Sequence, residues 1–228
     1  MAATTKYVHH YFKTAARGDP IRLAFCAAGV DFEDKTYTFA DMPTIKGDEK
    51  TFPLGQVPAL EIDGESYVQS HAILRYIGNE FDLYGMCNKQ KLVIDEILYT
   101  LQNIDEQLLG TYFFTKKAQK EEKFKKIHDY AARAYKMFEG ILQKNNNGKD
   151  YFVGNKLSIA DLHLVSSLET MSLEENTFPG FKNFIDNYPL VKALNERVRN
   201  VESVKKFLEK RGTPFYGMQR EMAAKNGY

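Results

Sequence analysis

The first third of the chain alternates short apolar runs with polar breaks, as small α/β domains do. Strand-like alternation of apolar and polar side chains occurs at residues 7–12, 32–39 and 59–62. A helical stretch separates the first two runs, so the pattern predicts a strand–helix–strand unit with parallel strands. Residues 40–52 show no periodicity, and we expect them to be irregular.

Turn and cap residues indicate where these elements begin and end. Pro20 beside Asp19 is a helix start signal, and Gly29 can end that helix in the left-handed conformation. The Asp-Gly pair at 63–64 predicts a two-residue hairpin turn between the third strand and a returning fourth strand. We expect Ser70 to cap the helix that follows.

The rest of the chain has helical periodicity. Apolar side chains spaced at i, i+3, i+4 and i+7 predict long helices that include residues 94–108 and 124–138. Ser158 and Asp161 have the spacing of a capping box, with Asp in place of Glu. The helix that they start is nearly apolar on all sides, so it should lie at the centre of its domain.

Together these elements predict two fold classes in series, α/β followed by all-α. A strand–helix–strand unit, then a hairpin and a helix, is the thioredoxin-like arrangement. We expect a thioredoxin-like domain at residues 1–80, a linker at 81–88 and an all-helical domain with a C-terminal tail at 89–228. The Cys-x-x-Cys signature of thioredoxins is absent from the sequence, which excludes disulfide exchange by that route.

A proline stands directly before the third strand. Proline lacks an N–H group, so in sheets it occurs at the start or edge of a strand. A cis Val57–Pro58 bond would turn the main chain of Val57 outward, where it could pair with an extended peptide. An ordinary trans turn proline is the more frequent alternative on local sequence alone. We predict that Val57 offers its main chain to a small peptide-like ligand.

Composition narrows the classes of function. The chain has 228 residues, of which 43% are hydrophobic and 27% are charged, and its formal net charge is +1. Near-neutral charge argues against nucleic acid as a partner, and there is no apolar run long enough to span a membrane. The first six residues lack the apolar core of a signal peptide. Cys26 and Cys87 have neither metal-site nor disulfide spacing, so we expect a cytoplasmic protein that requires no metal.

The chain resembles the cytosolic glutathione transferases over residues 6–211. The resemblance rests on the Gln-Val-Pro turn at 56–58, the Gln-Ser pair at 69–70 and the cap at 158–161, which occur in the order typical of that family. It is nearest to the tyrosine-type, sigma-like group, which includes prostaglandin D synthases and lens S-crystallins. The resemblance implies glutathione as co-substrate, a small hydrophobic electrophile as second substrate, and a homodimer.

By this resemblance Tyr11 is the catalytic residue at the end of the first strand. A free thiol has a pKa of about 8.5, and a phenolic hydrogen bond to sulfur would favour the thiolate. Thr14 is an alternative, since some classes of the family use serine. The implied glutathione-binding residues are Phe12, Arg17, Met42, Lys46, Gln56, Val57, Pro58, Gln69, Ser70 and Asn103. Chain position alone suggests that Leu108, Tyr112 and Phe215 line a hydrophobic substrate pocket.

Two residues depart from the family pattern. Met42 stands where the family usually has tryptophan, and the chain contains no tryptophan. Asn103 stands where many relatives supply an acid to the amino group of the partner subunit's glutathione, so we expect weaker binding of glutathione. The predicted function is conjugation of the glutathione thiolate to hydrophobic electrophiles, with glutathione-dependent peroxide reduction and isomerisation left open. The alternative is a non-enzymatic glutathione-binding or crystallin-like structural protein.

Overall fold

The computed structural model describes residues 5–172 and 178–211. Its N-terminal part contains a four-stranded sheet with the strand order β2-β1-β3-β4. Strands β1 and β2 are parallel, whereas β3 is antiparallel to both β1 and β4. This confirms the predicted thioredoxin-like arrangement. The strands are β1 (Tyr7–Phe12), β2 (Glu33–Tyr37), β3 (Ala59–Ile62) and β4 (Glu65–Val68).

Eight α-helices accompany the sheet within the described residues, three beside it and five after it. The first three are α1 (Asp19–Ala28), α2 (Met42–Gly47) and α3 (Ser70–Glu80). The remaining five form the predicted helical part: α4 (Asn88–Phe114), α5 (Lys117–Lys144), α6 (Ile159–Met171), α7 (Pro189–Arg199) and α8 (Glu202–Arg211). Among these described helices, none combines the length and the apolar character that crossing a bilayer requires.

Both turns predicted from glycine are present. Gly29 follows α1 with φ of 68°, in the left-handed conformation that the helix end requires. Asp63 and Gly64 have φ of 51° and 88°, the pair of positive values typical of a type I′ hairpin turn. The strand before the turn, β3, has the predicted bounds of residues 59–62.

The segment expected to be irregular contains the short helix α2. Pro43 lies in its first turn, where a missing N–H group costs nothing. Ile45 is fully buried and packs with Phe52 and Ala59 in a small core cluster. One buried residue in six is too few for the periodicity that reveals longer helices, so the prediction for residues 40–52 was wrong.

Helix α6 lies at the centre of the molecule, as its composition predicted. From Ile159 to Met171, every residue except Glu169 is buried. The capping box is present: Asp161 Oδ2 accepts hydrogen bonds from the Ser158 N–H (2.8 Å) and hydroxyl (2.6 Å). Asp161 Oδ1 also accepts from the Phe152 N–H at 2.9 Å. The carboxylate therefore joins the start of α6 to the preceding loop.

Candidate active site

The ends of three neighbouring strands bring the residues of the site together. Tyr11 lies near the C-terminal end of β1, and β3 begins beside it, directly after Pro58. Ala59 pairs with Val68, the last residue of β4, so Gln69 follows at the same edge of the sheet. The sheet register thus gathers residues that are far apart in sequence.

Val57 presents its main chain at this edge. The Val57–Pro58 peptide bond is cis, so the trans alternative is wrong. Pro58 is buried, Val57 is half-buried, and Gln56 is exposed. Within the described residues, neither the N–H nor the C=O group of Val57 takes part in a hydrogen bond. An added extended segment could use both groups.

Tyr11 is a buried phenol with its oxygen hydrogen-bonded. Its residue surface is 5% exposed, and its hydroxyl oxygen accepts a hydrogen bond from the main-chain N–H of Arg17 at 3.2 Å. Burial raises the pKa of Tyr11, while the charge and the N–H group of Arg17 and the charge of Arg22 act in the opposite direction. The phenol is therefore neutral near pH 7, and its proton remains free to be donated.

A turn packed directly on the tyrosine ring supplies this N–H group. Arg17 lies in the 3₁₀ turn Ala16–Gly18, and its guanidinium contacts Glu106 of α4 at 3.1 Å. A Cβ atom on Gly18 would lie 2.2 Å from Cδ1 of the Tyr11 ring. Only glycine allows this approach. Sequence reasoning missed the role of Gly18, although it is the only glycine between β1 and α1.

Arg22 supports the loop that follows Tyr11, a role that the sequence did not reveal. The side chain is buried on α1, and its guanidinium carbon lies 5.7 Å from the centroid of the Tyr11 ring. Its acceptors are the carbonyl oxygens of Phe12 (3.1 Å) and Thr14 (2.8 Å) and the carboxylates of Asp34 (2.9 Å) and Asp19 (3.1 Å). The planar fork of an arginine suits several acceptors at fixed angles.

The start of α3 differs from the prediction. The helix begins at Ser70 with Gln69 in the N-cap position, and no side chain caps it. The predicted capping role of Ser70 is therefore wrong, because Ser70 is already the first helical residue. Gln69 has φ of 76° and ψ of 104°, a conformation that costs a non-glycine residue about 1–3 kcal/mol. Such strain is concentrated at functional sites.

Met42 and Lys46 of α2 lie close to the loop that leads to Val57. Met42 opens α2 and packs with Phe12 and Val57 against the small core cluster described above. Lys46 is exposed, and its Cγ atom lies 3.4 Å from the position of a Cβ atom on Gly55. The lysine therefore stands beside the loop that leads to Gln56.

Asn103 and the neighbouring Asp105 of α4 point in different directions. Asn103 is exposed, and its side-chain oxygen accepts a hydrogen bond from Gln107 at 2.8 Å. Asp105 turns inward and accepts hydrogen bonds from Ser167 Oγ (2.6 Å) and His163 Nε2 (3.3 Å). Only Asn103 is therefore available to another subunit.

Of the three residues predicted to line a hydrophobic pocket, two lie within the described residues, and they differ in burial. Leu108 is completely buried in the helical core, which corrects the expectation that it lines an open pocket. Tyr112 is half-buried, with its ring 5.8 Å from that of Phe178 and the ammonium group of Lys120 5.0 Å from its centroid. Phe215 lies outside the described residues.

Comparison with known proteins identifies the family. Models of the glutathione S-transferase N-terminal and C-terminal domains match residues 6–79 and 102–211. Glutathione S-transferase alpha-5 of Rattus norvegicus is 40% identical over 207 residues, covering 90% of this chain and 89% of the relative. This chain belongs to the glutathione S-transferase family. Glutathione S-transferase A3 of Homo sapiens is 37% identical over 202 residues, covering 88% and 86%.

Solved glutathione S-transferase structures share the fold of this chain. A Nu-class enzyme from Haemonchus contortus has a TM-score of 0.75 at 29% identity, covering 92% of this chain and 98% of that one. Prostaglandin synthase D of Nilaparvata lugens has a TM-score of 0.76 at 31% identity, covering 91% and 99%. These names span several subgroups, so they establish the family, which uses glutathione as co-substrate, without selecting the sigma-like group.

Proposed function

We propose that this glutathione S-transferase conjugates the glutathione thiolate to small hydrophobic electrophiles, with Tyr11 as the residue that stabilises the thiolate. The proposal rests on the hydrogen bonding of the Tyr11 oxygen. That oxygen accepts from the Arg17 N–H group, so its own proton is left for another acceptor. A sulfur atom placed at the strand edge would be that acceptor.

The free energy needed to ionise the glutathione thiol is comparable with what Tyr11 and Arg17 can supply. Ionising most of a thiol with a pKa of about 8.5 at neutral pH requires a decrease of about two units, or about 3 kcal/mol. A hydrogen bond to a charged group contributes about 1.5–3 kcal/mol. The positive charge of Arg17 favours the thiolate further.

Glutathione would lie as an extended segment along the Val57 edge. Its cysteinyl main chain would pair with the free N–H and C=O groups of Val57. Its γ-glutamyl carboxylate would lie at the first turn of α3, where unpaired N–H groups and the helix dipole favour an anion. Gln69 and Ser70 would contact that end, and Lys46 would meet the glycyl carboxylate.

The remaining site residues complete the proposed binding cleft. Phe12, Met42, Gln56 and Pro58 would line it, and Tyr112 would face the electrophile. Asn103 would approach the glutathione of the partner subunit in a homodimer. We also infer a cytoplasmic location, since Cys26 and Cys87 are free thiols in the structure.

Sigma-like activities are a second candidate. The similarity to prostaglandin synthase D of Nilaparvata lugens favours testing isomerisation, and peroxide reduction would use the same thiolate. Both reactions would need the glutathione site proposed above and a different second substrate. Isomerisation is measured with glutathione and an endoperoxide as substrates, and peroxide reduction with glutathione and a hydroperoxide.

The decisive experiment compares Tyr11→Phe with Thr14→Ala. We expect Tyr11→Phe to lower kcat/KM for conjugation of a reactive aryl chloride by about a hundredfold, as loss of one positioned donor does elsewhere. Thr14→Ala should stay within a few-fold of the parent. If Tyr11→Phe instead keeps its activity within a few-fold while Thr14→Ala abolishes it, Thr14 is the residue that stabilises the thiolate. Retention of the parent on immobilised glutathione without any turnover would favour the non-enzymatic, crystallin-like alternative.

A further inference from the structure

The turn between the two longest described helices carries an exposed aromatic tip, formed by Phe113 and Phe114. Helix α4 ends at Phe114, and α5 begins at Lys117. Phe114 is 77% exposed, Phe113 is half-buried, and their rings lie 6.2 Å apart in an edge-to-face arrangement. One exposed ring alone needs no explanation, but this one is surrounded by lysines.

Two lysines of α5 turn back onto the end of α4. The ammonium group of Lys120 donates to the carbonyl oxygen of Tyr112 at 2.7 Å, and that of Lys123 donates to the Thr115 hydroxyl at 3.0 Å. Cations are favourable at a helix C-terminus, because the helix dipole places partial negative charge there. Capping of α4 therefore explains these two lysines, and it also holds two positive charges beside the aromatic tip.

The positive charge at the tip exceeds what capping requires. Lys116 and Lys117 are exposed, and neither forms an ion pair within the described residues. They lie at the N-terminus of α5, where the helix dipole disfavours cations, so helix stability does not explain them. Residues 116–126 contain six lysines and two glutamates, a net charge of +4, whereas the whole chain has +1. One of these glutamates, Glu122, is already paired with Lys126 at 2.6 Å.

An anionic lipid bilayer matches both features of the tip. Aromatic rings are favoured at the boundary between head groups and acyl chains, and each lysine close to an anionic bilayer strengthens binding by about fivefold. A projecting ring enters a fluid bilayer without needing a preformed pocket. An acidic protein would need a pocket shaped to receive Phe114, so the projecting tip favours the bilayer.

We propose that the aromatic tip docks the protein on anionic lipid bilayers. Phe114 enters the boundary between head groups and acyl chains. Binding is peripheral and reversible, because one aromatic tip and a few lysines give much less affinity than a spanning helix. The lysines that meet the anionic head groups are Lys116, Lys117, Lys120 and Lys123.

A single tryptophan can report on the tip, because the chain contains none of its own. In full-length Phe114→Trp, vesicles of phosphatidylcholine and phosphatidylserine should shift the emission to shorter wavelength, and brominated acyl chains should quench it. Pure phosphatidylcholine should do neither. Met86→Trp is the matched control, since Met86 is 78% exposed and precedes the opposite end of the 27-residue α4. Unchanged emission at position 114, or equal shifts at both positions, would overturn the proposal.

Neutralising two lysines tests the electrostatic part. Lys116→Gln with Lys117→Gln should weaken sedimentation with phosphatidylserine vesicles by about thirtyfold, since each lysine contributes about fivefold. Lys205→Gln with Lys206→Gln is the matched control, because it makes the same charge change on two exposed residues of α8. Raising the salt concentration from about 0.1 M to about 1 M should release the parent, since the screening length falls from about 10 Å to about 3 Å.

Activity with a soluble aryl chloride should be the same in every variant, because none of the substituted residues belongs to the proposed glutathione site. Equal losses of vesicle binding in the two lysine pairs, or binding that salt does not weaken, would contradict docking through the tip. Binding of the parent to soluble polyglutamate without any binding to vesicles would also refute it, and would assign the tip to an acidic protein.

Discussion

Adding one methyl group at Gly18 should disable Tyr11, the proposed catalytic residue, without touching a substrate. The Cβ atom of alanine would lie 2.2, 2.6 and 3.0 Å from three ring carbons of Tyr11. Non-bonded carbon atoms rest at about 3.5–4.0 Å, so the ring and the turn must separate by more than 1 Å. The ring has little room to move, because Tyr11 is only 5% exposed.

This separation acts on the hydrogen bond that orients the phenol. The Arg17 N–H group and the Tyr11 oxygen are 3.2 Å apart, and an additional 1 Å would break their hydrogen bond. A misplacement of about 1 Å at a reacting group can cost about a hundredfold in rate. We expect Gly18→Ala to lower kcat/KM for an aryl chloride by about that factor. The pKa of bound glutathione should rise at the same time. It is measured from the pH dependence of kcat/KM for the aryl chloride at saturating glutathione.

Two further variants separate this effect from a general loss of structure. Gly140→Ala is the matched control, since Gly140 is exposed in α5 and a Cβ atom there meets nothing within 4 Å. It should keep full activity and gain about 0.5–1 kcal/mol of stability. In a Tyr11→Phe background, Gly18→Ala should have almost no further effect on kcat/KM. Retention of activity within threefold by Gly18→Ala, or full additivity with Tyr11→Phe, would refute the reasoning.

Four other changes probe the supports of the site and of the fold. Arg22→Leu should lower the free energy of unfolding in urea by about 3–5 kcal/mol, because it leaves the fully buried carboxylate of Asp19 and the carbonyl oxygens of Phe12 and Thr14 with one partner fewer. Recovery of full stability by Arg22→Lys would contradict the need for a planar fork. Burial lowers the pKa of His9 to about 4, so the unfolded chain binds more protons than the folded one between pH 6.5 and 4. Stability is then lost as pH falls through that window, by about 3 kcal/mol from His9, and His9→Asn should flatten the slope measured by urea unfolding. Asp161→Ala removes three hydrogen bonds at a fully buried cap and should cost about 2–3 kcal/mol, with the kcat/KM of the folded fraction unchanged. Asn103→Asp should lower the KM for glutathione several-fold at constant kcat, and no change in KM would show that the position does not reach the ligand.

The parts of the fold that the sequence predicted depend on short-range rules. The hairpin turn at Asp63 needs two adjacent positive φ values, and the Asp-Gly pair supplies residues that tolerate them. The capping box at Ser158 closes over three residues. In both cases all the interacting groups lie in one short stretch, so the residue pattern contains the necessary information.

The parts of the site that escaped prediction depend on contacts between distant segments. Glu106 meets Arg17 from 89 positions further along the chain. The need for glycine at position 18 arises because an aromatic ring of β1 folds back over the turn, and Gly18 itself has no unusual φ that a local rule could detect. Arg22 looks like a surface residue of an amphipathic helix until the loop carbonyls that it binds are placed.

The Ser70 error shows a different limit. Serine before an apolar helical run is a good N-cap in isolation, and one residue of uncertainty in a helix start is ordinary. The structure places the strained Gln69 at the cap instead and moves Ser70 into the first turn. A local rule based on helix stability does not predict a helix whose N-cap residue, here Gln69, has a strained backbone conformation.

Burial of Tyr11 has a purpose other than keeping the phenol protonated, since a phenol with a pKa of about 10 is already neutral at pH 7 in water. A thiolate beside the phenol would compete for its proton, and the proton stays on oxygen only while the phenol is the weaker acid of the pair. Burial raises the pKa of Tyr11 and so keeps the phenol the weaker acid, while the positive charge of Arg17 favours both the phenolate and the thiolate. Exclusion of water would then strengthen the proposed hydrogen bond from the Tyr11 O–H group to sulfur. The ring must therefore be both buried and accurately held, and this explains why a glycine and a buried arginine, neither of which needs to touch glutathione, are part of the site.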